Sequence, residues 1–387
     1  MSASSSDLRH GPDAADVAVV GGGVIGLAIA WRAALRGLTV TVIDELHDAR
    51  ASNHAAGMLA PVTEVHYGEE DLLRLNLKAA QHYPGFVAEL EEASGTSVGY
   101  RQSGTLAVAF DDDDKAALDE LHRYQSTLGL ASTSLTAREC RELEPFLATG
   151  VRGGLLVDGD HQVDNRKLIG ALQTACQRAG VRFSNSSART IVVEGDQVVG
   201  ADSVRATHTV LAAGCWSADI SGLPKHARPP VRPVKGQIVR LQDNPERPIL
   251  SRNVRAFVRG RPIYLVPRAG GEIVVGATSE EKGFDTCVTV EGAGDLLADA
   301  RELVPRVSEI ELVQVTVGLR PGSPDNAPMI GAGALPGLVV ATGHYRNGIL
   351  LAPVTADAIA ELLATGAMPV GFERFNPCRF AQATVPA

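Results

Sequence analysis

Residues 15–45 constrain the fold more than any other stretch of the chain. An apolar, β-branched run at 17–20 reads as a buried strand. Gly21, Gly22 and Gly23 follow as a turn, and from Val24 the pattern is helical to about residue 36, where Gly37 is placed to end it. A second β-branched run at 39–43 ends at Asp44. The unit is strand–helix–strand, and its parallel strands require a right-handed crossover. The spacing Gly21-x-Gly23-x-x-Gly26 falls on the strand-to-helix turn. Gly21 permits the tight turn, Gly23 lets a pyrophosphate approach the backbone, and Gly26 lets helix and strand pack closely. The helix N-terminus offers free N–H groups and a positive dipole end to phosphate. Asp44 can accept hydrogen bonds from ribose hydroxyls and would repel a 2′-phosphate, which disfavours NADP. The motif leaves FAD and NAD open.

A length of 387 residues fits two folding units or one large one. Hydrophobic residues at 45% and charged residues at 21% are globular values and exclude a disordered, collagen-like or coiled-coil chain. The net charge of −9 argues against a nucleic-acid binder but not against an anionic substrate, because a few buried arginines dominate their own pocket. Five cysteines (Cys140, Cys176, Cys215, Cys287 and Cys378) form no C-x-x-C pair. That pattern predicts free thiols in a reducing cytoplasm. No His/Cys cluster has metal-ligand spacing, so no metal is expected. No nucleophile-elbow sequence supports hydrolysis. No apolar run reaches the ~18 residues of a membrane span. The polar start, residues 1–16, lacks the apolar core of a secretory signal and reads as a polar tail.

Further along, helices are expected at 69–94 (with Pro84 as a kink), 111–128, 165–179, 295–303 and 354–365. The acids of the DDDDK string at 111–115 complement a helix start. Strands are expected at 104–110, 208–213, 236–241, 256–258, 263–267, 271–277, 311–319 and 338–342, with a hairpin at 189–204 turning on Gly195 and Asp196. Parallel-sheet signals lie at the start, middle and end, and antiparallel ones between them. The pattern predicts an α/β fold, α+β overall: a discontinuous dinucleotide-binding domain at 14–85, 150–222 and 317–387, and a substrate domain at 86–149 and 223–316.

Further segments bear on the choice of dinucleotide. Small residues at 55–57 would let the backbone approach a bulky ring system. The strand at 208–213 ends in Gly214 beside Trp216, and 343–351 leads into a helix that could present a second set of N–H groups. These pieces, GGGVIG at 21–26, AAGMLAP at 55–61, AAGCWS at 212–217, PVKGQ at 233–237, YLVPR at 264–268, VVGAT at 274–278, GLRPG at 318–322 and GHYRNGILLAP at 343–353, resemble the D-amino acid oxidase superfamily of FAD enzymes. Within that superfamily the closer resemblance is to the glycine oxidases of thiamine biosynthesis. The resemblance spans most of the chain, and its last two blocks are the most specific.

That resemblance implies a Rossmann-like FAD-binding domain roofed by an inserted mixed-sheet domain. It implies FAD contacts at Gly21, Gly23, Val24, Ile25, Gly26, Asp44, Glu45, Ala51, Ser52, Ala56, Gly57, Met58 and Gly214. It also implies contacts along His344, Tyr345, Arg346, Asn347, Gly348, Ile349 and Leu350, and a backbone contact to adenine near Arg189. It places the arginine for a substrate carboxylate at Arg320, with Arg346 as the second candidate. Arginine suits that role because it holds a carboxylate through two parallel hydrogen bonds. Tyr264 would supply a hydroxyl near the same carboxylate. Ser279 stands where the family can present a bulkier side chain, and would widen the pocket. Glu64 and His66 either gate the pocket or belong to a solvated loop, and Lys235 is either an oxygen activator or a structural ion-pair partner. Sarcosine oxidases attach their flavin through a cysteine near the GLRPG block; here Ser323, Pro324 and Asp325 follow it, so non-covalent FAD is expected.

The implied activity is FAD-dependent oxidation of glycine, other small amines or D-amino acids, with molecular oxygen as acceptor. Its products would be glyoxylate or another 2-oxo acid, ammonia and hydrogen peroxide, or an imine passed to thiazole-assembly enzymes. A quinone-linked D-amino acid dehydrogenase and a non-catalytic dinucleotide-binding redox sensor are the alternatives. A homo-oligomer is expected, with no nucleic-acid partner.

Overall fold

The strand Ala15–Val20 is the axis of the first sheet. Its Val17, Ala18 and Val19 are fully buried, as expected for a strand covered on both faces. In the computed structural model, which describes residues 14–44, 47–184, 190–258 and 260–380, two eight-stranded sheets carry the architecture. The first runs in the order Met329–Ala332, Leu338–Thr342, Val204–Leu211, Ala15–Val20, Val40–Ile43 and Arg182–Ser184, with the hairpin Ile191–Glu194/Gln197–Ala201 attached to Val204–Leu211. Ala15–Val20 pairs in parallel with both neighbours. The helices Val24–Leu35, Glu70–Ser94, Asn165–Arg178 and Gly348–Thr365 share one apolar core with this sheet, centred on Trp31, Tyr83, Phe86 and Leu351.

The second sheet runs Glu311–Gly322, Arg232–Gln242, Glu272–Gly276, Arg261–Pro267, Asn253–Val258, Thr105–Ala109, Gly153–Val157 and Thr133–Thr136. Every pairing is antiparallel except that of Asn253–Val258 with Thr105–Ala109. Two of the segment limits expected from sequence, at 150 and 317, fall beside or inside strands of this sheet. The fold is the α/β dinucleotide-binding type with a mixed second sheet, as the sequence pattern predicts.

Local chemistry explains where the elements begin and end. Asp111 caps Asp112–Thr127 by accepting from the Asp114 N–H at 2.8 Å, with Asp112, Asp113 and Asp114 in the first turn. The last helix starts at Gly348, six positions before the expected residue 354, and contains Pro353. Proline cannot donate to the carbonyl four residues back. Here the Tyr83 hydroxyl donates to that carbonyl, Ile349 O, at 3.2 Å. This helix is long and apolar enough to cross a membrane, which the composition-based expectation overlooked, but 67% of it is buried inside the fold. Strand Glu311–Gly322 likewise continues past residue 319, so Arg320 lies within it. The short strands Arg182–Ser184, Met329–Ala332 and the glycine-led Gly153–Val157 gave no sequence signal.

Arg268, at the end of Arg261–Pro267, ties this sheet to the loop beside the first. Its guanidinium is buried and donates to Gln162 Oε1 at 2.7 Å, Val163 O at 2.8 Å and Ala56 O at 2.5 Å. Burial pulls its pKa down to about 10, so it stays charged at neutral pH. Each buried acceptor left unpaired costs about 1–3 kcal/mol. Arg268→Met is therefore expected to lower stability by about 3 kcal/mol or more, read as a lower urea midpoint. A midpoint equal to that of the parent protein would show that the clamp contributes nothing.

Candidate active site

One cavity of about 870 Å³ runs from the glycine turn of the first sheet to the face of the second. Gly21 and Gly23 line it. Gly21 has φ +110°, and a side chain there would strike the Ala212 carbonyl. Gly26 is outside the lining; a side chain on it would strike the Gly21 carbonyl, which is the close helix–strand approach expected of it. Val24 and Ile25 begin the helix and line the cavity, and the Val24 N–H donates to Ser52 Oγ at 3.1 Å. No acidic side chain sits in that first turn.

Asp44 lines the cleft and accepts from Arg50 Nη1 at 2.5 Å; Arg50 also donates to Gly22 O at 3.3 Å. Arg50 holds the ribose-type carboxylate in place, and nothing in the sequence distinguished it from a surface arginine. Ala51, Ser52, Ala56, Gly57 and Met58 line the same cleft. Gly57 has φ +70°, and a Cβ there would sit 3.1 Å from Arg268 Nη2 and collide with Val163 O. Glu45 and Arg189 lie outside the described residues.

The far wall comes from the C-terminal segment. Gly214, His344, Tyr345, Arg346, Gly348 and Ile349 line the cavity, while Asn347 and Leu350 are buried beside it. The His344 ring is 3.1 Å from Thr355 Oγ1, and burial drives its pKa down to about 3, so the imidazole is neutral. The Tyr345 N–H donates to Pro321 O at 3.1 Å and ties this wall to the strand bearing Arg320. His47 stacks on Trp216 with ring centroids 4.3 Å apart, and both line the cleft; the sequence did not single out His47. A glycine cradle that side chains would fill, a helix start free of acids and a fixed carboxylate fit a dinucleotide.

The second sheet supplies the other end. Tyr264 and Arg320 lie flat against glycines: a Cβ on Gly236 would be 2.6 Å from Arg320 Cζ, and one on Gly276 would be 2.7 Å from Tyr264 Cε2. Arg320 donates to Thr278 O at 3.1 Å. Three other arginines of the cavity face acids: Arg50 with Asp44, Arg255 with Glu64, and Arg346 with Glu69 at 3.7 Å. Among the described residues Arg320 has no carboxylate partner. Burial raises the Tyr264 pKa, and Arg320 opposes part of that rise.

Glu64 and His66 both line the cavity from a loop, Glu64 half-buried and His66 exposed. Buried Asp160 pins their segment, accepting from the N–H groups of Val62 and Thr63 and from Thr63 Oγ1 at 3.1, 2.7 and 2.6 Å. Burial pushes Asp160 up to about 6. Ser279 is exposed at the rim. Lys235 is not in the lining. It is fully buried, 2.6 Å from Asp285 and from the Cys287 carbonyl, and it holds Asp285 down at about 2. That arrangement is a structural ion pair. Among the described residues no group of His, Cys, Asp and Glu could hold a metal.

Fold and cleft together define a flavin-type oxidoreductase. The FAD dependent oxidoreductase family model matches residues 16–362, and the chain belongs to that family. It is 37% identical over 361 residues to the bifunctional protein ThiO/ThiG of Nostoc sp. (strain PCC 7120), covering 90% of this chain and 52% of that protein. The chain thus spans about half the length of such relatives. It is 33% identical over 361 residues to the glycine oxidase of Geobacillus kaustophilus, covering 90% of this chain and 92% of that protein. The crystal structure of glycine oxidase from Geobacillus kaustophilus matches with a TM-score of 0.86 at 32% identity, covering 95% of this chain and 99% of that one.

Cys215 is the cysteine that lines the cleft, and burial pushes its thiol up to about 12. A thiol this far from ionising is a poor nucleophile. Acid precipitation of the yellow protein should therefore leave the colour in the supernatant. Colour retained in the pellet would mean a covalent flavin.

Proposed function

We propose that the protein oxidises glycine and other small amino acids or amines, with FAD held non-covalently in the cleft and molecular oxygen as the acceptor. The observation that carries this reading is Arg320, a cavity cation with no acid partner among the described residues, lying beside Tyr264 at the end of the cleft. Its guanidinium would take the substrate carboxylate in two parallel hydrogen bonds and fix the Cα–H toward the cleft. The relatives named glycine oxidase support the substrate class.

Bound FAD supplies the acceptor for the two electrons that leave the Cα–N unit. The amine becomes an imine, oxygen takes the two electrons and two protons as hydrogen peroxide, and water hydrolyses the imine to glyoxylate and ammonia. The imine can instead be passed to thiazole assembly. In this reading the first sheet holds the dinucleotide and the second holds the substrate. The five free cysteines agree with a cytoplasmic site of action.

Arg320→Ala tests the anchor. Removing one partner of a buried charge pair costs ~3–5 kcal/mol. That is roughly a hundred- to several-thousand-fold in kcat/KM for glycine, with FAD content unchanged. Near-normal efficiency would move the anchor to Arg346.

In this reading none of Tyr264, Arg320 and Arg346 acts as an obligatory base for the Cα proton. Arginine cannot accept a proton, and Tyr264 is pushed above its ordinary range. A neutral substrate amine can drive loss of the α-hydrogen with its pair of electrons. Anaerobic bleaching of the flavin should then accelerate as pH rises through the pKa of the substrate amine. His66 is lowered by desolvation and by Arg346, so a base role for it would show as a rise below neutrality instead. Tyr264→Phe should keep substantial turnover and mainly weaken substrate binding. A flavin that binds normally to Tyr264→Phe but bleaches ~10⁴-fold more slowly would identify Tyr264 as a general base.

A further inference from the structure

The blocks PVKGQ at 233–237 and VVGAT at 274–278 meet in the second sheet, where Arg232–Gln242 pairs with Glu272–Gly276. Ile238 pairs with Gly276, and beyond that strand Lys235 bridges to Glu280. Between these two pairs lie Gly236 and Gln237 on one side and Ala277, Thr278 and Ser279 on the other. The extra residue makes the stretch a β-bulge, a device that re-aims a group next to a site.

The bonds across the bulge show which group is re-aimed. Residues of a hydrogen-bonded antiparallel pair exchange both backbone bonds. Lys235 and Glu280 do so, each bond at 2.9 Å. Gln237 and Thr278 complete only half of the exchange. The Thr278 N–H donates to Gln237 O at 3.3 Å, but the Gln237 N–H donates to Thr278 Oγ1, at 2.8 Å, instead of to the Thr278 carbonyl. Gln237 is fully buried, so its N–H requires an acceptor, and the threonine hydroxyl stands in for the backbone. That hydroxyl donates its own proton to Glu280 Oε1 at 2.6 Å, which leaves its lone pairs for the Gln237 N–H. Glu280 is held in turn by Gln237 Nε2 at 2.8 Å and Lys282 Nζ at 3.1 Å.

The carbonyl released from the ladder is the one that accepts from Arg320 Nη1, at 3.1 Å. Among the described residues no acid orients this guanidinium, which lies over Gly236.

We propose that Thr278 is the positioning residue of Arg320. Its hydroxyl takes the place of its carbonyl in the ladder, and the freed carbonyl aims the guanidinium at the substrate carboxylate. The proposal rests on the Arg320 reading above. A side chain of the same shape without the hydroxyl leaves the Gln237 N–H to recapture the carbonyl, and Arg320 loses its acceptor.

The test compares Thr278→Val and Thr278→Ser as holoenzymes, reading FAD content and the second-order constant for anaerobic flavin bleaching by glycine. Thr278→Val should keep its FAD and lose about tenfold to a hundredfold in that constant, the range for a hydrogen bond to a charged group. Thr278→Ser, which restores the hydroxyl, should stay within about threefold of the parent. In an Arg320→Ala background, adding Thr278→Val should cost less than about twofold, because the group it positions is gone. An equal loss in both backgrounds, or a Thr278→Ser as slow as Thr278→Val, would be a structural effect and would overturn the assignment. A parent-like Thr278→Val overturns it too, while a slow Arg320→Ala leaves the Arg320 reading standing; a parent-like Arg320→Ala overturns both. If Thr278→Val does not retain flavin, Thr278→Cys, whose thiol is a weak acceptor, carries the same expectation. Loss of flavin by both would make the hydroxyl a folding determinant and overturn the positioning role.

Discussion

The buried guanidinium of Arg268 is the contact on which the site's geometry rests. The cleft is built by one sheet and the proposed carboxylate anchor by another, so the two must be held in register to within the tolerance of orbital alignment. Packing alone is poorly directional. Arg268 supplies direction by donating to Ala56 O on the cleft loop and to Val163 O and Gln162 Oε1 on the segment leaving the second sheet. A planar fork with several donors can meet such dispersed acceptors where a lysine could meet fewer. The price is desolvation, visible in the fall of its pKa to about 10. Gly57 follows from the same contact, since its backbone approaches both Val163 and Arg268 too closely for a side chain.

Charge in the cavity is distributed by pairing. Asp44 fixes Arg50, Glu64 fixes Arg255, and Glu69 faces Arg346. Burial keeps His344 neutral, and Lys235 is buried outside the cavity lining, paired with the partly exposed Asp285. Once these are cancelled, the net field of the substrate end comes from Arg320. A cation in a low-dielectric pocket is worth more to an anion than one in water. On the proposed function, that field would orient a zwitterionic amino acid with its carboxylate toward Glu311–Gly322.

The fold was legible where one residue type had one physical reading. The glycine spacing at 21–26, the terminal acid at 44 and the β-branched runs around them are local signals, and they placed the cleft. Elements that depend on distant partners were not legible. Pro353 argues for a helix start after it, and only Tyr83, from another helix, makes the earlier start possible. Arg50 and Arg255 look like any surface arginine until their acids are in place, whereas Arg320, marked in sequence only by the family resemblance, is set apart by having no acid partner among the described residues. Glu64 and His66 are ambiguous in sequence because the residue that settles their loop, Asp160, is a long way along the chain.

The glycines of the second sheet show how such a pocket is made from a surface that normally projects side chains. Strand residues stand roughly perpendicular to the sheet, and a fully clad face would leave no room for a ligand. At Gly236 and Gly276 the missing side chains open shallow wells, and the guanidinium of Arg320 and the ring of Tyr264 lie down into them. Each functional group then lies directly over glycine backbone. Glycine in a strand weakens it, but Gly236 sits in the long pairing of Arg232–Gln242 with Glu311–Gly322, opposite Gly318, and that ladder offsets the loss. The same face carries alanine at 107 and proline at 262, again small or flat, on the side away from the cation.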